Sequence, residues 1–356
     1  MVIKIIGLMS GTSLDGLDIC YTQFNYDEMS CKWSYEILAA EDEQYPEVLK
    51  HQLATAQSMT AEEYALLNSD YGLYLGRRVK AFIERTGADP RYIASHGHTI
   101  FHQPSKRFTT QIGSGAGIAA ESGIDTICDF RTVDVALGGQ GAPLVPVGDR
   151  NLFSEFNYCL NLGGFSNISS DGENGKRVAY DISPVNYVLN HYTRQIGLEY
   201  DRDGEIARSG RVDAALLERL NTLPFYSQSG PKSLGREWVE GEVIPLIDSA
   251  SLTIEDRLAT FCEHVAVQIS RHISEGSVLL TGGGAFNKYL VERMQANAPQ
   301  CKYFVPDART VNFKEALIFA FLGALWAADM PNCLSSVTGA KYDNIGGALY
   351  KSGIKR

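Results

Sequence analysis

GLMSGTSLDGLD, residues 7–18, is the stretch from which the architecture of this chain can be worked out. An apolar run at residues 2–6 precedes it, and a second run rich in apolar and aromatic residues follows at 17–24. Glycine permits positive φ and close approach, so the turn at residues 10–13 can gather backbone N–H groups and hydroxyls around an anion. No lysine follows, as one would in a Walker loop. The pattern predicts a β-hairpin whose turn is either a phosphate site or a structural turn only.

The same design occurs again later in the chain. Residues 158–168 (YCLNLGGFSNI) join two apolar runs through a small-residue turn, and residues 278–287 (VLLTGGGAFN) lead into a predicted helix at 288–296. Neither turn is a Walker or a G-x-G-x-x-G motif. Two strand–turn–strand units, one early in each half, indicate a duplicated lobe of the α/β or α+β class. A cleft between such lobes can hold a polyphosphate from both sides.

The segment at residues 129–146 combines charged residues, glycines and prolines, which is typical of a domain boundary. We therefore expect a first lobe at 1–133, completed by the tail at 340–356, and a second lobe at 134–339. Helical periodicity further predicts helices at 64–84, 116–122, 256–273 and 314–328.

The composition is that of a globular protein, with 44% hydrophobic and 21% charged residues in a chain of 356. The net charge of −10 disfavours a nucleic acid or an anionic membrane surface as the main partner. No signal segment is apparent, and no run approaches the roughly 20 apolar residues of a membrane span. The seven scattered cysteines form no Cys-x-x-Cys pair, which indicates buried free thiols in a reducing cytoplasm.

Two carboxylates occupy positions suited either to chemistry or to helix capping. Asp181 ends an apolar run and precedes a proline turn, so it is a candidate general base or a helix cap. Glu315 lies near the start of an apolar helix, where a carboxylate in the first turn would also favour the helix dipole.

A cluster of histidines and a basic residue supply further candidates. His96, His98 and His102 could ligate zinc, but no carboxylate or thiolate cluster accompanies them locally, which favours hydrogen-bonding roles in a polar pocket. Arg131 and Asp134 lie in the boundary segment, where the arginine could bind a carboxylate bidentately, and a structural ion pair between the lobes is an equal alternative.

Several motifs occur together in one order along nearly the whole chain, at residues 9–18, 95–100, 111–113, 129–131, 138–146, 160–168, 281–287, 314–316 and 335–340. With this ordered set the chain resembles the anhydro-N-acetylmuramic acid kinase family. The resemblance implies an α/β fold of two duplicated ribonuclease-H-like lobes, as in the actin-like ATPases, with a central nucleotide cleft. Each lobe would begin with a phosphate-binding hairpin, which agrees with the repeat in the sequence.

The resemblance also implies an activity, the ATP-dependent conversion of 1,6-anhydro-N-acetylmuramic acid to N-acetylmuramic acid 6-phosphate in cell-wall recycling. Asp181 falls on the catalytic aspartate, and the sugar site would use His96, Arg131 and Glu315. Mg²⁺ is expected to be held mainly by phosphate oxygens and water, with no protein ligand assigned, and a homodimer is implied. The residues expected to bind ATP are Ser10, Gly11, Thr12, Ser13, Asp15, Gly16, Gly163, Gly164, Asn167, Gly282, Gly283, Gly284 and Asn287.

The chain departs from the family pattern at the expected sugar site. The usual Asp-Thr-Gly-Pro-Gly-Asn reads DISPVN at residues 181–186, so both glycines and the threonine hydroxyl are replaced, and His98 stands where glutamine is usual. A kinase acting on a different sugar or acid is therefore one alternative function. A regulatory protein that binds ATP without turnover is another.

Overall fold

The computed structural model describes residues 1–11, 14, 16–172, 174–228 and 232–353. Its strands are β1 (Val2–Met9), β2 (Leu17–Asp27), β3 (Lys32–Glu43), β4 (Tyr92–Ser95), β5 (His98–Gln103), β6 (Phe108–Ile112), β7 (Thr126–Cys128), β8 (Tyr158–Leu162), β9 (Phe165–Asp171), β10 (Arg177–Pro184), β11 (Gly276–Thr281), β12 (Cys301–Phe304) and β13 (Ala348–Tyr350). Its helices are α1 (Glu47–Thr55), α2 (Ala61–Thr86), α3 (Gly115–Ser122), α4 (Thr132–Ala136), α5 (Val145–Leu152), α6 (Asn186–Arg194), α7 (Glu205–Ser209), α8 (Ala214–Asn221), α9 (Arg236–Trp238), α10 (Ile244–Asp248), α11 (Ile254–Ser270), α12 (Lys288–Asn297), α13 (Ala308–Ala327) and α14 (Ser335–Thr338).

The chain divides into two compact units, each built on its own sheet. In the first unit the strand order is β13-β7-β4-β1-β2-β3, and in the second it is β10-β9-β8-β11-β12. The first three strands of each unit pair antiparallel, and two later strands pair parallel on the other side of the first strand. This is the ribonuclease-H-like order, present twice. The predicted hairpins and the duplicated α/β fold are therefore confirmed.

The unit boundaries are drawn differently from the expected lobe boundaries. One unit comprises Met1–Leu152 and Phe313–Arg356, and the other comprises Phe153–Asn312. The sequence had placed these divisions after residues 133 and 339. The difference arises because α5 contacts β3 and most of α13 packs on the first sheet. The expected boundaries follow from local composition, which does not reveal these contacts. The tail lies in the first unit, where β13 pairs with β7.

Helix α2 shows how local signals fix an element. Thr60 and Glu63 form a capping box, in which the Thr60 side chain accepts from the Glu63 N–H and the Glu63 carboxylate accepts from the Thr60 N–H. Gly87 ends the helix with a left-handed conformation at φ 68°. The apolar face between these ends is buried in the core of the first unit. The predicted helix is confirmed, with both ends a few residues further out.

Helix α13 has the length and composition of a membrane span, contrary to the expectation that no such run exists. Its apolar window is 78% buried inside the protein, so it is a core helix. All seven cysteines are free, as predicted, although Cys31 is exposed and Cys128 is only half-buried.

The first residue of the opening motif, Gly7, is the point where α13 meets the sheet of the first unit. A Cβ atom on Gly7 would lie 1.9 Å from the carbonyl oxygen of Ala316 and 2.7 Å from the backbone nitrogen of Ala320. A Cβ on Gly323 would likewise approach Ala94 to 2.8 Å. The helix therefore packs with its backbone almost directly on the strand.

Gly7→Ala is expected to lower the free energy of unfolding by about 3 kcal/mol, because the added methyl group meets backbone atoms that cannot rotate away. Urea denaturation measures the change through the transition midpoint. Gly241→Ala is the matched control, since a Cβ there has no neighbour within 4 Å. An unchanged midpoint for Gly7→Ala would contradict the close packing of α13.

Candidate active site

The turn between β8 and β9 in the second unit is held by the start of α6. The carbonyl oxygen of Gly164 accepts from the N–H groups of Val185 (2.8 Å) and Tyr187 (3.2 Å), and that of Gly163 accepts from Asn186 N–H (3.2 Å). These contacts fix the turn from its carbonyl side. Ser183 and Val185 replace the family's glycines without left-handed backbone strain, since neither has positive φ and Val185 lies at φ −132°.

Some glycines of the second unit are required by backbone conformation or packing, and others are not. Gly282 has φ +78°, and a Cβ on Gly284 would lie 2.8 Å from Leu162, so the fold itself explains both glycines. A Cβ on Gly164 or Gly283 would instead meet nothing closer than 3.9 Å and 3.6 Å, and on Gly163 nothing closer than 3.3 Å. The contact at Gly163, with the Asn161 side chain, is tight, whereas Gly164 and Gly283 stay open without a packing reason, which fits close approach by a phosphate group.

Polar residues form a row across the same sheet. Cross-strand pairing places Asp181 opposite Asn167, Asn167 opposite Asn161, and Asn161 opposite Thr281. Directly paired residues point to one face of a sheet, so the four side chains share that face. Sequence reasoning assigned roles to Asp181 and Asn167 and missed Asn161. The available signal was a polar residue within the otherwise apolar run of β8.

Asp181 lies next to a β-bulge. Pairing with β9 shifts register between Asp181 and Ser183, so the buried Ile182 is an extra residue in β10. The Leu234 N–H donates to Oδ2 of the Asp181 carboxylate at 2.8 Å. Burial raises the pKa of this carboxyl, and the Leu234 hydrogen bond partly opposes the shift. A desolvated carboxylate with raised pKa is suited to accept a proton.

The capping alternatives for both carboxylates are wrong. Asp181 lies inside β10, and the N-cap position of α6 is Val185. Helix α13 begins at Ala308, so Glu315 is well beyond its first turn. Asn287, in contrast, is the N-cap of α12, and its side chain accepts from Leu290 N–H at 2.9 Å. Its predicted contact with ATP stays a prediction.

In the first unit, Arg131 and His96 are directly bonded. The guanidinium donates to Nε2 of His96 through Nε (3.2 Å) and Nη2 (2.9 Å), and Nη1 donates to the carbonyl of Gly141 (2.6 Å). The other ring nitrogen, Nδ1, donates to the carbonyl of Gly97 at 2.9 Å. Burial and the Arg131 charge hold the pKa of His96 well below its usual value. His96 is therefore a neutral acceptor that orients the guanidinium.

Glu315 and its neighbour face different surroundings. Glu315 keeps an accessible side-chain surface although many protein atoms surround it, whereas Lys314 forms a buried ion pair with Asp149, with Nζ 2.8 Å from Oδ1. Desolvation by the surrounding protein raises the pKa of the Glu315 carboxyl, and the charges of Arg131 and Lys314 oppose this shift. Burial lowers the pKa of Arg131 to about 10. The first unit thus brings Arg131, His96 and Glu315 into one electrostatic cluster, and the Lys314–Asp149 pair was not predicted.

The first hairpin leads into a buried hydrogen-bonded network. Ser10 is 2% exposed, and its Oγ contacts Nδ1 of His98 at 3.0 Å and the hydroxyl of Tyr45 at 2.7 Å. Burial lowers the pKa of His98 to about 4 and raises that of Tyr45 to about 12, so both side chains are neutral. The Ser10 hydroxyl is committed to this network, and a role for it at phosphate stays a prediction.

The rest of the first turn is described only in part. Gly11 accepts from Leu14 N–H at 3.2 Å, and a Cβ on Gly16 would lie 2.5 Å from the carbonyl oxygen of Glu43. The predicted phosphate-binding residues Thr12, Ser13 and Asp15 lie outside the described residues.

Asp134 is a buried hub rather than an ion-pair partner of Arg131. Its Oδ2 accepts from Gly141 N–H at 2.8 Å. Its Oδ1 accepts from Cys333 Sγ (3.1 Å), Thr338 Oγ1 (2.8 Å) and Asn344 Nδ2 (2.9 Å). All four donors are neutral, so Asp134 is held by hydrogen bonds.

Zinc binding by His96, His98 and His102 would need further ligands grouped around them. Within residues 1–11, 14, 16–172, 174–228 and 232–353, no three His, Cys, Asp or Glu side chains are grouped to hold a metal ion. His102 Nδ1 contacts Thr109 Oγ1 at 3.0 Å, so the rings of His96, His98 and His102 all have hydrogen-bond partners.

The repeated ribonuclease-H-like sheet with glycine turns after its first strands is the architecture of the actin-like ATPase and sugar-kinase class. The family model for anhydro-N-acetylmuramic acid kinase matches residues 3–352. The chain belongs to the anhydro-N-acetylmuramic acid kinase family and is a phosphotransferase.

Similar proteins span the same length. The anhydro-N-acetylmuramic acid kinase of Vibrio vulnificus (strain CMCP6) is 34% identical, with 97% of this chain and 97% of that protein covered. That of Vibrio cholerae serotype O1 is 36% identical, with 94% and 95% covered. Among solved structures, xylulose kinase from Rhodospirillum rubrum matches at TM-score 0.44 and 10% identity, over 92% of this chain and 90% of that one.

Proposed function

We propose that this chain transfers the γ-phosphoryl group of ATP to 1,6-anhydro-N-acetylmuramic acid while water opens the anhydro bridge, giving N-acetylmuramic acid 6-phosphate in peptidoglycan recycling. The oxygen of water bonds to the anomeric carbon as the bridge C–O bond breaks. The released O6 takes the phosphoryl group, ADP leaves, and one water proton passes to Asp181. Family membership supports the substrate pair.

The observation that carries this proposal is the environment of Asp181. Its carboxylate is held by one main-chain N–H, and burial raises its pKa, which makes it a better proton acceptor than an ordinary aspartate. Placing the water and the phosphoryl group in line accounts for much of the remaining barrier.

The sugar side is assigned to the first-unit cluster. Neutral His96 fixes the Arg131 guanidinium from one side, and the carbonyl of Gly141 fixes it from another. An oriented, partly desolvated guanidinium suits a carboxylate or a ring hydroxyl of the sugar. The exposed Glu315 carboxylate supplies an acceptor for a sugar hydroxyl.

ATP is assigned to the glycine turns, because Gly164 and Gly283 leave room that packing does not require. Mg²⁺ would neutralise charge on the phosphates, held mainly by their oxygens and by water. We also propose that the protein is cytoplasmic and forms a homodimer. Light scattering coupled to size exclusion would test the dimer.

Gly164→Ala is expected to weaken ATP binding about tenfold, since the methyl group would occupy the space left for phosphate. The free energy of unfolding should stay close to the wild-type value, because a Cβ there meets only Tyr187 at 3.9 Å. Isothermal titration and urea denaturation measure the two quantities. Unchanged ATP affinity in the folded variant would remove this turn from the nucleotide site.

The proposed reaction is tested by incubating the protein with ATP, Mg²⁺ and the anhydro-sugar in water enriched in heavy oxygen. We expect a 6-phosphorylated sugar that carries the label at the anomeric position, as read by mass spectrometry. Turnover only with a different sugar or acid would favour another acceptor. ATP binding without any transfer would indicate a regulatory protein.

A further inference from the structure

The edge strand of the second sheet is flanked by a short stretch that no motif singled out. Among the strands of the described residues, β10 ends the sheet order, so one of its sides pairs with none of them. Two hydrogen bonds join this strand to the stretch at residues 232–234. The Asp181 N–H donates to the Lys232 carbonyl at 2.9 Å, and the Leu234 N–H donates to Asp181 Oδ2 at 2.8 Å. Residues 232–234 therefore hold Asp181 through both its backbone and its side chain.

The Asp181 carboxylate has little other support. In the part of the chain that the structure describes, Leu234 N–H is its one hydrogen-bond donor, and no basic side chain forms an ion pair with it. The nearby ammonium of Lys232 donates instead to the carbonyls of Phe225 and Gln228, each at 3.3 Å. Oδ2 is thus occupied, and Oδ1 receives no hydrogen bond from these residues.

A main-chain donor and a cation would act differently on a base. A salt bridge would depress the pKa of the carboxyl strongly and make it a weak proton acceptor. A single backbone N–H favours the charged form more gently and fixes the direction of the carboxylate. The adjacent bulge at Ile182 separates Asp181 from the regular pairing that resumes at Ser183.

From this geometry we propose that the main-chain amide of Leu234 is the positioning group for the base. It fixes Oδ2, directs Oδ1 to the proton of the attacking water, and keeps the carboxylate ionised at the working pH. The inference rests on the proposed function, in which Asp181 takes that proton. It assigns residues 232–234 to the catalytic machinery by position, without direct contact with substrate.

Other titratable groups lie near β10, and their titration must be distinguished from that of Asp181 in the pH profile of kcat. Burial lowers the pKa of His264 to about 3 and also lowers that of His272, so both rings are neutral through the neutral range. Burial lowers the pKa of Lys232 as well, and it raises that of Tyr226. The titratable groups packed against β10 include Asp171 of β9, His264 of α11, His272 just after α11, Tyr226 and Lys232.

Leu234→Pro removes the N–H, and Leu234→Ala keeps it while removing the same side chain. Relative to Leu234→Ala, we expect Leu234→Pro to lower kcat about tenfold, the effect of one hydrogen bond to a charged group. The acidic limb of the kcat profile should move up by about one pH unit. ATP affinity, measured by titration, should match in the two variants.

Equal kcat values and equal acidic limbs for the two variants would overturn the inference while leaving the reaction itself intact. Absence of labelled sugar phosphate from the wild-type protein would instead overturn the proposed function. If Leu234→Pro does not fold, replacing Leu234 by its 2-hydroxy-acid analogue removes the same N–H through an ester bond. That variant should show the same upward movement of the acidic limb, and an unmoved limb would overturn the inference equally.

Discussion

Asp181→Asn is expected to lower kcat about a thousandfold, in the range measured for loss of a general base. Asn has nearly the same shape, and its side-chain oxygen can still accept from the Leu234 N–H, so the loop should keep its path. What is lost is the capacity to take a proton from water. ATP affinity and the free energy of unfolding should therefore remain close to the wild-type values, as measured by titration calorimetry and urea denaturation.

The pH dependence of kcat provides a second test of Asp181→Asn. Burial raises the pKa of Asp181 above its ordinary value, so wild-type kcat should fall as pH drops through that raised pKa and the carboxylate becomes protonated. The residual activity of Asp181→Asn should lack this acidic limb. Turnover within tenfold of wild type would exclude Asp181 as the base.

The parts of the fold that could be predicted are those with local signals. The hairpins β1–β2 and β8–β9 follow from apolar runs joined by small-residue turns, and α2 follows from its periodicity and from Gly87 at its end. These signals lie within a few residues of the feature that they specify. They also identify the duplication, because the same local design is used twice.

Features that depend on long-range packing were not predictable in the same way. Helix α13 begins at Ala308, yet residues 308–313 carry mixed polar residues that hid its first turns. Its close contact with Gly7 joins residues that are about 300 positions apart in the chain, and this contact assigns most of the helix to the first unit. The composition near residue 133 gives no indication of that contact.

In the candidate site, too, residues could be predicted where a local signal marks them and not where distant contacts place them. Glycines, Asp181, Arg131 and His96 could be singled out because their residue types suit phosphate, proton and carboxylate chemistry. Their supports could not, since Leu234 reaches Asp181 over a separation of 53 residues and acts through a backbone N–H that any residue but proline supplies. Nor does a sequence reveal which neutral donors surround a buried carboxylate such as Asp134.

Asp134→Ala is expected to lower the free energy of unfolding by about 4 kcal/mol. The carboxylate is fully buried and accepts four hydrogen bonds, from Gly141, Cys333, Thr338 and Asn344. Hydrogen bonds to a charged group contribute about 1.5–3 kcal/mol each, and the buried Gly141 N–H would lose the acceptor that Asp134 provides. Urea denaturation of the purified variant measures the loss.

Asp134→Asn provides the graded comparison, because it keeps one acceptor oxygen but presents an NH₂ group where the other oxygen accepted. We expect an intermediate loss of about 2 kcal/mol. Since Asp134 holds Gly141, whose carbonyl in turn holds Arg131 at 2.6 Å, the same variant should raise KM for the sugar more than it lowers kcat. If Asp134→Ala unfolded at the wild-type urea midpoint, the carboxylate would not be the hub that joins residues 131–141 to the C-terminal segment.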